Sequence, residues 1–151
     1  MKFLELKIPP VIVAALTLAG MWVVARFTPG SDIAFGRQLS GVLMGTGFLL
    51  MMWSTIAFSR AKTTVHPTKP HEATSLLTTG LFSISRNPIY VGMFLFIIGW
   101  GFWFGNVFSI ALSGGFVLYM NRFQIEPEEG ALEKLFPEDY PQYKKRVRRW
   151  I

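Results

Sequence analysis

Three long stretches of the chain contain no Asp, Glu, Lys or Arg, and this spacing of charge limits the possible folds more than any other feature. They cover residues 8–25, 38–59 and 87–121. The first two are each close to the roughly 20 apolar residues with which a helix crosses a lipid bilayer. The third is too long for one crossing and about right for two short ones. The pattern therefore predicts a membrane protein built from helices.

The third stretch contains a turn signal at Gly105-Asn106, within the sequence GFWFGNVFS. Dividing it there predicts an all-α, polytopic transmembrane helical bundle of four spans, in which the third and fourth helices form a hairpin. A loop at 60–86 and a C-terminal helical tail at 123–151 remain, and the length suits a single domain, 1–151. The predicted spans are 9–28, 38–59, 87–104 and 107–122.

The composition supports this class of protein. The chain is 51% hydrophobic and only 16% charged, whereas a soluble domain carries about 25% charged residues. No small-x-small cleavage site follows the first apolar stretch before Arg26, so we interpret that stretch as a retained span and not as a cleaved signal peptide. Within the spans, Gly41-x-x-x-Gly45 and Gly101-x-x-x-Gly105 predict positions at which helices approach closely.

The distribution of basic residues predicts the orientation. Four spans place both termini and the 60–86 loop on one side, with 13 Lys and Arg residues, and leave only Arg26 and Arg37 on the other. By the positive-inside rule, the termini, the loop and the tail are cytoplasmic, at an inner or plasma membrane. The basic end YKKRVRRWI is then interpreted as contacting anionic headgroups of membrane lipids, so that Lys144 and Arg148 contribute little else.

Several kinds of chemistry are not expected from this sequence. There is no Cys, which excludes disulfides, thiolate catalysis and zinc–thiolate sites. His66 and His71 lack the further ligands that a metal site needs, so no metal is expected. The net charge of +6 lies beside predicted spans, so no nucleic-acid partner is expected.

Carboxylates follow directly after the fourth predicted span, in the sequence EPEEGALEKLF. One explanation is that Glu128 and Glu129 stabilise the first turn of a short helix that begins after Pro127. The other is that the pair faces Arg86 and Tyr90 and binds a cationic or hydroxyl-rich ligand. The residues by themselves leave both explanations open.

The sequences SISRNPIYVG and EPEEGALEKLFPEDYPQYKKRV together resemble those of the integral-membrane methyltransferases, which include isoprenylcysteine carboxyl methyltransferase and phospholipid N-methyltransferases. The shared pattern is Gly-aromatic-x-x-x-Arg-His/Asn-Pro-x-Tyr-x-Gly, then Glu-Glu-x-x-Leu, then Phe-Gly-x-x-Tyr-x-x-Tyr. The likeness runs from about Thr78 to Trp150. Asn87 stands where the carboxyl methyltransferases usually have His, and Pro137 where they have Gly.

This resemblance implies an enzyme that uses S-adenosylmethionine, bound at the cytoplasmic face between the loop and the tail. Arg122 and Glu129 are implied as catalytic residues, with Arg122 orienting an anionic acceptor. The implied cofactor-binding residues are Gly80, Leu81, Arg86, Asn87, Tyr90, Glu128 and Glu129.

The acceptor stays open among a phospholipid amine, a lipid or isoprenyl carboxylate and a small thiol, so a lipid or hydrophobic small molecule is the expected partner. The alternative from another class is a non-enzymatic membrane assembly or accessory protein that keeps the same fold.

Overall fold

The computed structural model describes residues 4–31, 33–61 and 74–151. The described residues form helices and connecting segments but no strand, apart from one isolated bridge between Ser85 and Arg148, so the predicted all-α class is confirmed. A 3-10 turn at Gly80–Ser83 and a π-helical segment at Met120–Ile125 accompany the α-helices. The α-helices are α1 (Pro10–Phe27), α2 (Gly36–Arg60), α3 (Pro88–Phe104), α4 (Val107–Tyr119), α5 (Glu126–Leu135) and α6 (Asp139–Arg146).

Two of these helices, α1 and α2, are long and apolar enough to cross a membrane. Helix α3 is also apolar but shorter, with 17 residues. The first three predicted spans coincide with α1, α2 and α3 to within about two residues at either end. The fourth extends about three residues beyond α4, because α4 ends at Tyr119, where the π-helical segment begins.

The turn between α3 and α4 forms where the sequence predicted it. Gly105 ends α3 in the left-handed region, with φ of 57°, which glycine adopts without steric cost. Asn106 then caps α4, because its Oδ1 accepts a hydrogen bond from Ser109 N at 2.8 Å. The Asn106 amide also donates to Thr28 Oγ1 at 2.8 Å. The turn is thereby joined to the end of α1.

Helix α3 lies at the centre of the bundle and supplies much of the core. Tyr90 and Ile97 are buried on it, and Met21 from α1 and Phe116 from α4 pack in the same cluster. The outer faces of the helices expose large apolar side chains instead, such as Trp53, which is 68% exposed. An apolar exterior of this kind suits contact with lipid.

Glycines let the helices approach one another closely, α2 and α3 in particular, but only some of them are the glycines that the sequence predicted. A Cβ atom added to Gly41 or Gly45 would have no neighbouring atom within 4 Å, so their predicted role in packing within this chain is wrong. The close approach is made by Gly47, where a Cβ atom would lie 2.5 Å from Gly92 O. At Gly101 the prediction is confirmed, since a Cβ atom would lie 2.8 Å from Ile110 Cγ1.

Helix α4 continues into α5 without a break. The backbone dihedral angles of Tyr119, Met120, Ile125 and Glu126 are all helical, and the Glu126 N–H donates to Asn121 O in the i to i−5 pattern of a π-helix. Glu128 and Glu129 lie in the first turn of α5, where one explanation placed them. That turn continues an existing helix and has no free N-terminus for the carboxylates to stabilise, so the stabilising role in that explanation is wrong.

Candidate functional site

The segment Arg86–Tyr90 begins α3, and its polar side chains are directed to the C-terminal part of the chain. Pro88 occupies the first turn, where its missing N–H leaves no bond unmade. Asn87 precedes it but makes no capping hydrogen bond; its Nδ2 donates instead to Arg149 O at 3.0 Å. A helix start alone would not require this long-range contact.

A buried ion pair joins this segment to α5. Arg86 Nη2 lies 2.6 Å from Glu129 Oε1, and the two side chains are only 8% and 7% exposed. Arg86 Nη1 also donates to Val147 O at 2.6 Å and to Lys144 O at 3.2 Å. Arg149 completes the cluster, since its Nε and Nη2 donate to the two oxygens of Glu129 at 3.1 and 2.8 Å.

A second set of hydrogen bonds surrounds Glu128, one residue earlier on α5. Tyr90 Oη donates to Glu128 Oε1 at 2.7 Å, and Gln124 Nε2 donates to the same oxygen. Burial of Glu128 raises its pKa to about 7, although both hydrogen bonds oppose the rise. The two adjacent carboxyl groups therefore differ in character, because Glu129 is held as a carboxylate by two guanidinium groups.

The C-terminal strap, residues 147–150, closes one side of this cluster. It is extended at Val147, and Arg86 N donates to Arg148 O at 3.0 Å. Trp150 anchors its end, because the indole Nε1 donates to Asn121 Oδ1 at 2.9 Å. The Trp150 ring also packs edge-on against Phe94, with 6.2 Å between centroids.

The structure brings together most of the site residues that the sequence indicated. Arg86 contacts Glu129 and Tyr90 contacts Glu128, as the facing arrangement in the sequence analysis required, and Asn87 lies beside them through the strap. Gly80 and Leu81 begin the 3-10 turn that precedes this segment. Gly80 is exposed there, with φ of 62° and no atom within 4 Å of a Cβ position.

Arg122 lies outside the buried cluster. Its side chain is 48% exposed and contacts Glu5 at 3.0 Å and Glu126 at 3.6 Å. Glu126 in turn lies 3.8 Å from Arg149. Among the described residues, Arg122 is thus connected to Glu129 indirectly, through Glu126 and Arg149.

Arg149 is the main residue that the sequence analysis missed. The interpretation of the basic end as a segment that only contacts headgroups is wrong for this residue, because its guanidinium binds Glu129. It is also incomplete for Lys144, whose Nζ lies 2.7 Å from Glu133 Oε1. Gln124 was missed too, and its position one turn before Glu128 is the signal that could have indicated it.

The part of the chain that the structure describes contains no group of three or more His, Asp or Glu side chains arranged to hold a metal ion. His66 and His71 lie outside the described residues.

The fold and this cluster define a helical protein with apolar helices suited to a membrane and a polar site at the start of α3. Comparison with known proteins agrees. The family model for phospholipid methyltransferases matches residues 36–139, more than half of the chain. This chain belongs to the phospholipid methyltransferase family.

Two curated relatives are similar over part of the chain. A protein of Haemophilus influenzae named "Uncharacterized protein" is 42% identical over 65 residues, which are 42% of this chain and the whole of that protein. Protein-S-isoprenylcysteine O-methyltransferase of Schizosaccharomyces pombe is 36% identical over 75 residues, 48% of this chain and 30% of that enzyme. No solved structure matches.

Proposed function

We propose that this protein is a membrane-embedded methyltransferase that moves a methyl group from S-adenosylmethionine to a lipidic or small hydrophobic acceptor. Membership of the phospholipid methyltransferase family supports the reaction class. The observation that carries the site is the convergence of Arg86, Asn87, Tyr90, Glu128 and Glu129 on one place, from segments about 40 residues apart.

The residues present fit the proposed cofactor. Arg86 Nε is buried and has no hydrogen-bond partner among the described residues, and a buried unpaired donor is costly unless a ligand satisfies it. A carboxylate is a suitable acceptor for it. Asn87 supplies a further polar group beside it, and Glu128 and Glu129 are suited to hydroxyl or ammonium groups. These are the functional groups that S-adenosylmethionine carries.

S-adenosylmethionine supplies a methyl group on a positively charged sulfur, which is transferred by in-line displacement. Such a reaction needs positioning and exclusion of water more than covalent assistance. In this proposal Arg86, Asn87, Tyr90 and Glu129 bind and orient the cofactor, with the Gly80–Leu81 turn at the edge of its site. Arg122, exposed on the π-helical segment, orients an anionic acceptor.

The acceptor is a phospholipid amine, a lipid or isoprenyl carboxylate, or a thiol. We infer that a lipidic acceptor enters sideways between helices, since the outer faces of the helices are apolar. Its apolar tail then stays in the membrane while its polar end reaches the site.

We propose four spans for this protein, with both termini and the site cytoplasmic. The support is the 13-to-2 distribution of basic residues and the apolar α3, which the Gly105-Asn106 turn connects to α4. Reporter fusions at Asn106 and after Trp150 are expected to report opposite sides of the membrane. Fusions that report the same side would contradict the four-span topology.

Binding of radiolabelled S-adenosylmethionine to the detergent-purified full chain tests the function. We expect saturable binding to the wild type, and about tenfold weaker binding to Asn87→Ala and Tyr90→Phe, because each loses a hydrogen bond at the site. Asn87→His is expected to be tolerated better than Asn87→Ala. Arg146→Gln, a change at an exposed residue of α6, serves as the control and should bind as the wild type does.

Absence of saturable binding to a folded wild-type protein would overturn the proposed function and favour the non-enzymatic accessory role. Equal binding by the wild type, Asn87→Ala and Tyr90→Phe would leave the cofactor proposal standing but move its site elsewhere.

A further inference from the structure

Arg149 holds Glu129 in a different way from Arg86. Arg86 binds one carboxylate oxygen, Oε1, whereas Arg149 binds both, with Nε on Oε1 and Nη2 on Oε2. A single hydrogen bond leaves the plane of a carboxylate free to turn about it. A two-point contact with a planar guanidinium fixes that plane.

The backbone of Arg149 contributes to the same site. Its carbonyl oxygen accepts hydrogen bonds from Asn87 Nδ2 at 3.0 Å and from Ser85 Oγ at 3.4 Å. The residue therefore connects Glu129 on α5 with the segment that begins α3. We propose that Arg149 is a positioning residue, which keeps the Glu129 carboxylate oriented and charged for cofactor binding; this inference rests on the proposed function.

The charge of Glu129 depends on this contact. Burial acts to raise the pKa of Glu129, but hydrogen bonds from Arg149 and Arg86 outweigh it and lower the pKa below its usual value. The other charged or titratable groups that face Glu129 are Lys144, whose Nζ lies 3.9 Å from Oε2, Tyr140 from α6 and Glu128 on its own helix. Without Arg149, burial would remain and the pKa of Glu129 would rise.

Substitution of Arg149 is expected to destabilise the fold less than substitution of Arg86. The side chain of Arg149 is 30% exposed, whereas that of Arg86 is 8% exposed. The strap keeps its other attachments in such a variant, since Trp150 still bonds Asn121 and Arg148 O still accepts from Arg86 N. The substitution therefore separates positioning of Glu129 from the folding of the strap.

The test compares wild type, Arg149→Gln, Arg149→Lys and the control Arg146→Gln. Dissociation constants for S-adenosylmethionine are measured between about pH 5.5 and 8.5, and the Glu129 carboxyl is titrated by carbon NMR in the ligand-free proteins. We expect Arg149→Gln to bind about tenfold more weakly near pH 8. This difference from the wild type should increase as the pH falls, because Glu129 in the variant then takes up a proton.

Arg149→Lys should recover part of the affinity and keep Glu129 charged over the same range, since a cation is restored without the two-point contact. Arg146→Gln should match the wild type. Equal affinity and equal pH dependence in wild type and Arg149→Gln would overturn the positioning role. If Arg149→Gln does not fold, Arg149→Lys provides the test. Wild-type affinity for S-adenosylmethionine in Arg149→Lys would then overturn the proposal.

The NMR titration separates this inference from the proposed function. A wild type that binds no S-adenosylmethionine would refute the function. The pKa of Glu129 would still decide the role of Arg149, because an unchanged value in Arg149→Gln contradicts the inference and a raised value supports it.

Discussion

Replacement of Arg86 by Ala is expected to destabilise the protein by about 3 kcal/mol, because it leaves a buried carboxylate with an incomplete set of partners. Glu129 is 7% exposed and, of its cationic contacts within the described residues, would keep those with Arg149 and the more distant Lys144. The carbonyl oxygen of Val147 would also lose the 2.6 Å hydrogen bond from Arg86. The loss in the free energy of unfolding is measured on the detergent-purified protein, with tryptophan fluorescence as the probe of unfolding.

Glu129→Ala should be destabilising to a similar extent, since it leaves the buried Arg86 guanidinium without its anion. The double variant Arg86→Met with Glu129→Leu should lose less than the sum of the two single changes, because no charge is then left buried alone. Glu133→Ala is the matched control. It breaks an ion pair with Lys144 in which both side chains are at least 40% exposed, and such pairs contribute about 0–1 kcal/mol. If Arg86→Ala lowers the free energy of unfolding as little as Glu133→Ala does, the buried ion pair is contradicted.

The second large loss of stability is expected from substitution of a glycine at the contact between α2 and α3. In Gly47→Ala the new methyl group would lie 2.5 Å from Gly92 O and 2.9 Å from Phe96 N. Both are backbone atoms, so the helices must separate, and we expect a loss of about 2–3 kcal/mol. Gly92→Ala should behave in the same way, since its methyl group would lie 2.7 Å from Gly47 O.

Gly45→Ala is the matched control on the same helix. No atom lies within 4 Å of its Cβ position, so we expect stability to be unchanged or raised by up to about 1 kcal/mol, because alanine favours helix. Thermal unfolding of the three variants in one detergent makes the comparison. Equal unfolding temperatures for Gly47→Ala and Gly45→Ala would show that α2 and α3 do not approach as closely as described.

The positions of the helices followed from the sequence, whereas the faces that they bury did not. Charge-free stretches, Pro88 and Gly105 mark where helices can begin and end, and these are local properties of the chain. The choice between Gly45 and Gly47 depends on the rotation of α2 about its axis. In a helix that is apolar on every side, hydrophobic periodicity does not indicate that rotation.

The same limit applies to the candidate site. That Glu128 and Glu129 face Arg86 and Tyr90 was one of the two explanations that the residues left open, and the contacts of Arg86 with Glu129 and of Tyr90 with Glu128 agree with it. Arg149 could not be expected, because the sequence RVRRWI offers several equivalent cations. Only the extended conformation after α6, and the bridge between Ser85 and Arg148, turn Arg149 towards Glu129.

The π-helical segment Met120–Ile125 has a geometric consequence for the carboxylates. Each residue advances an α-helix by about 100°, and the wider turn of the π-helix takes up an extra residue between α4 and α5. Helix α4 can therefore bury Phe116 against the apolar core while α5 presents Glu128 and Glu129 to Tyr90 and Arg86. The direction of the two carboxyl groups is set by the number of backbone units that precede them, and a chain one residue shorter here would have the same side chains on a different face.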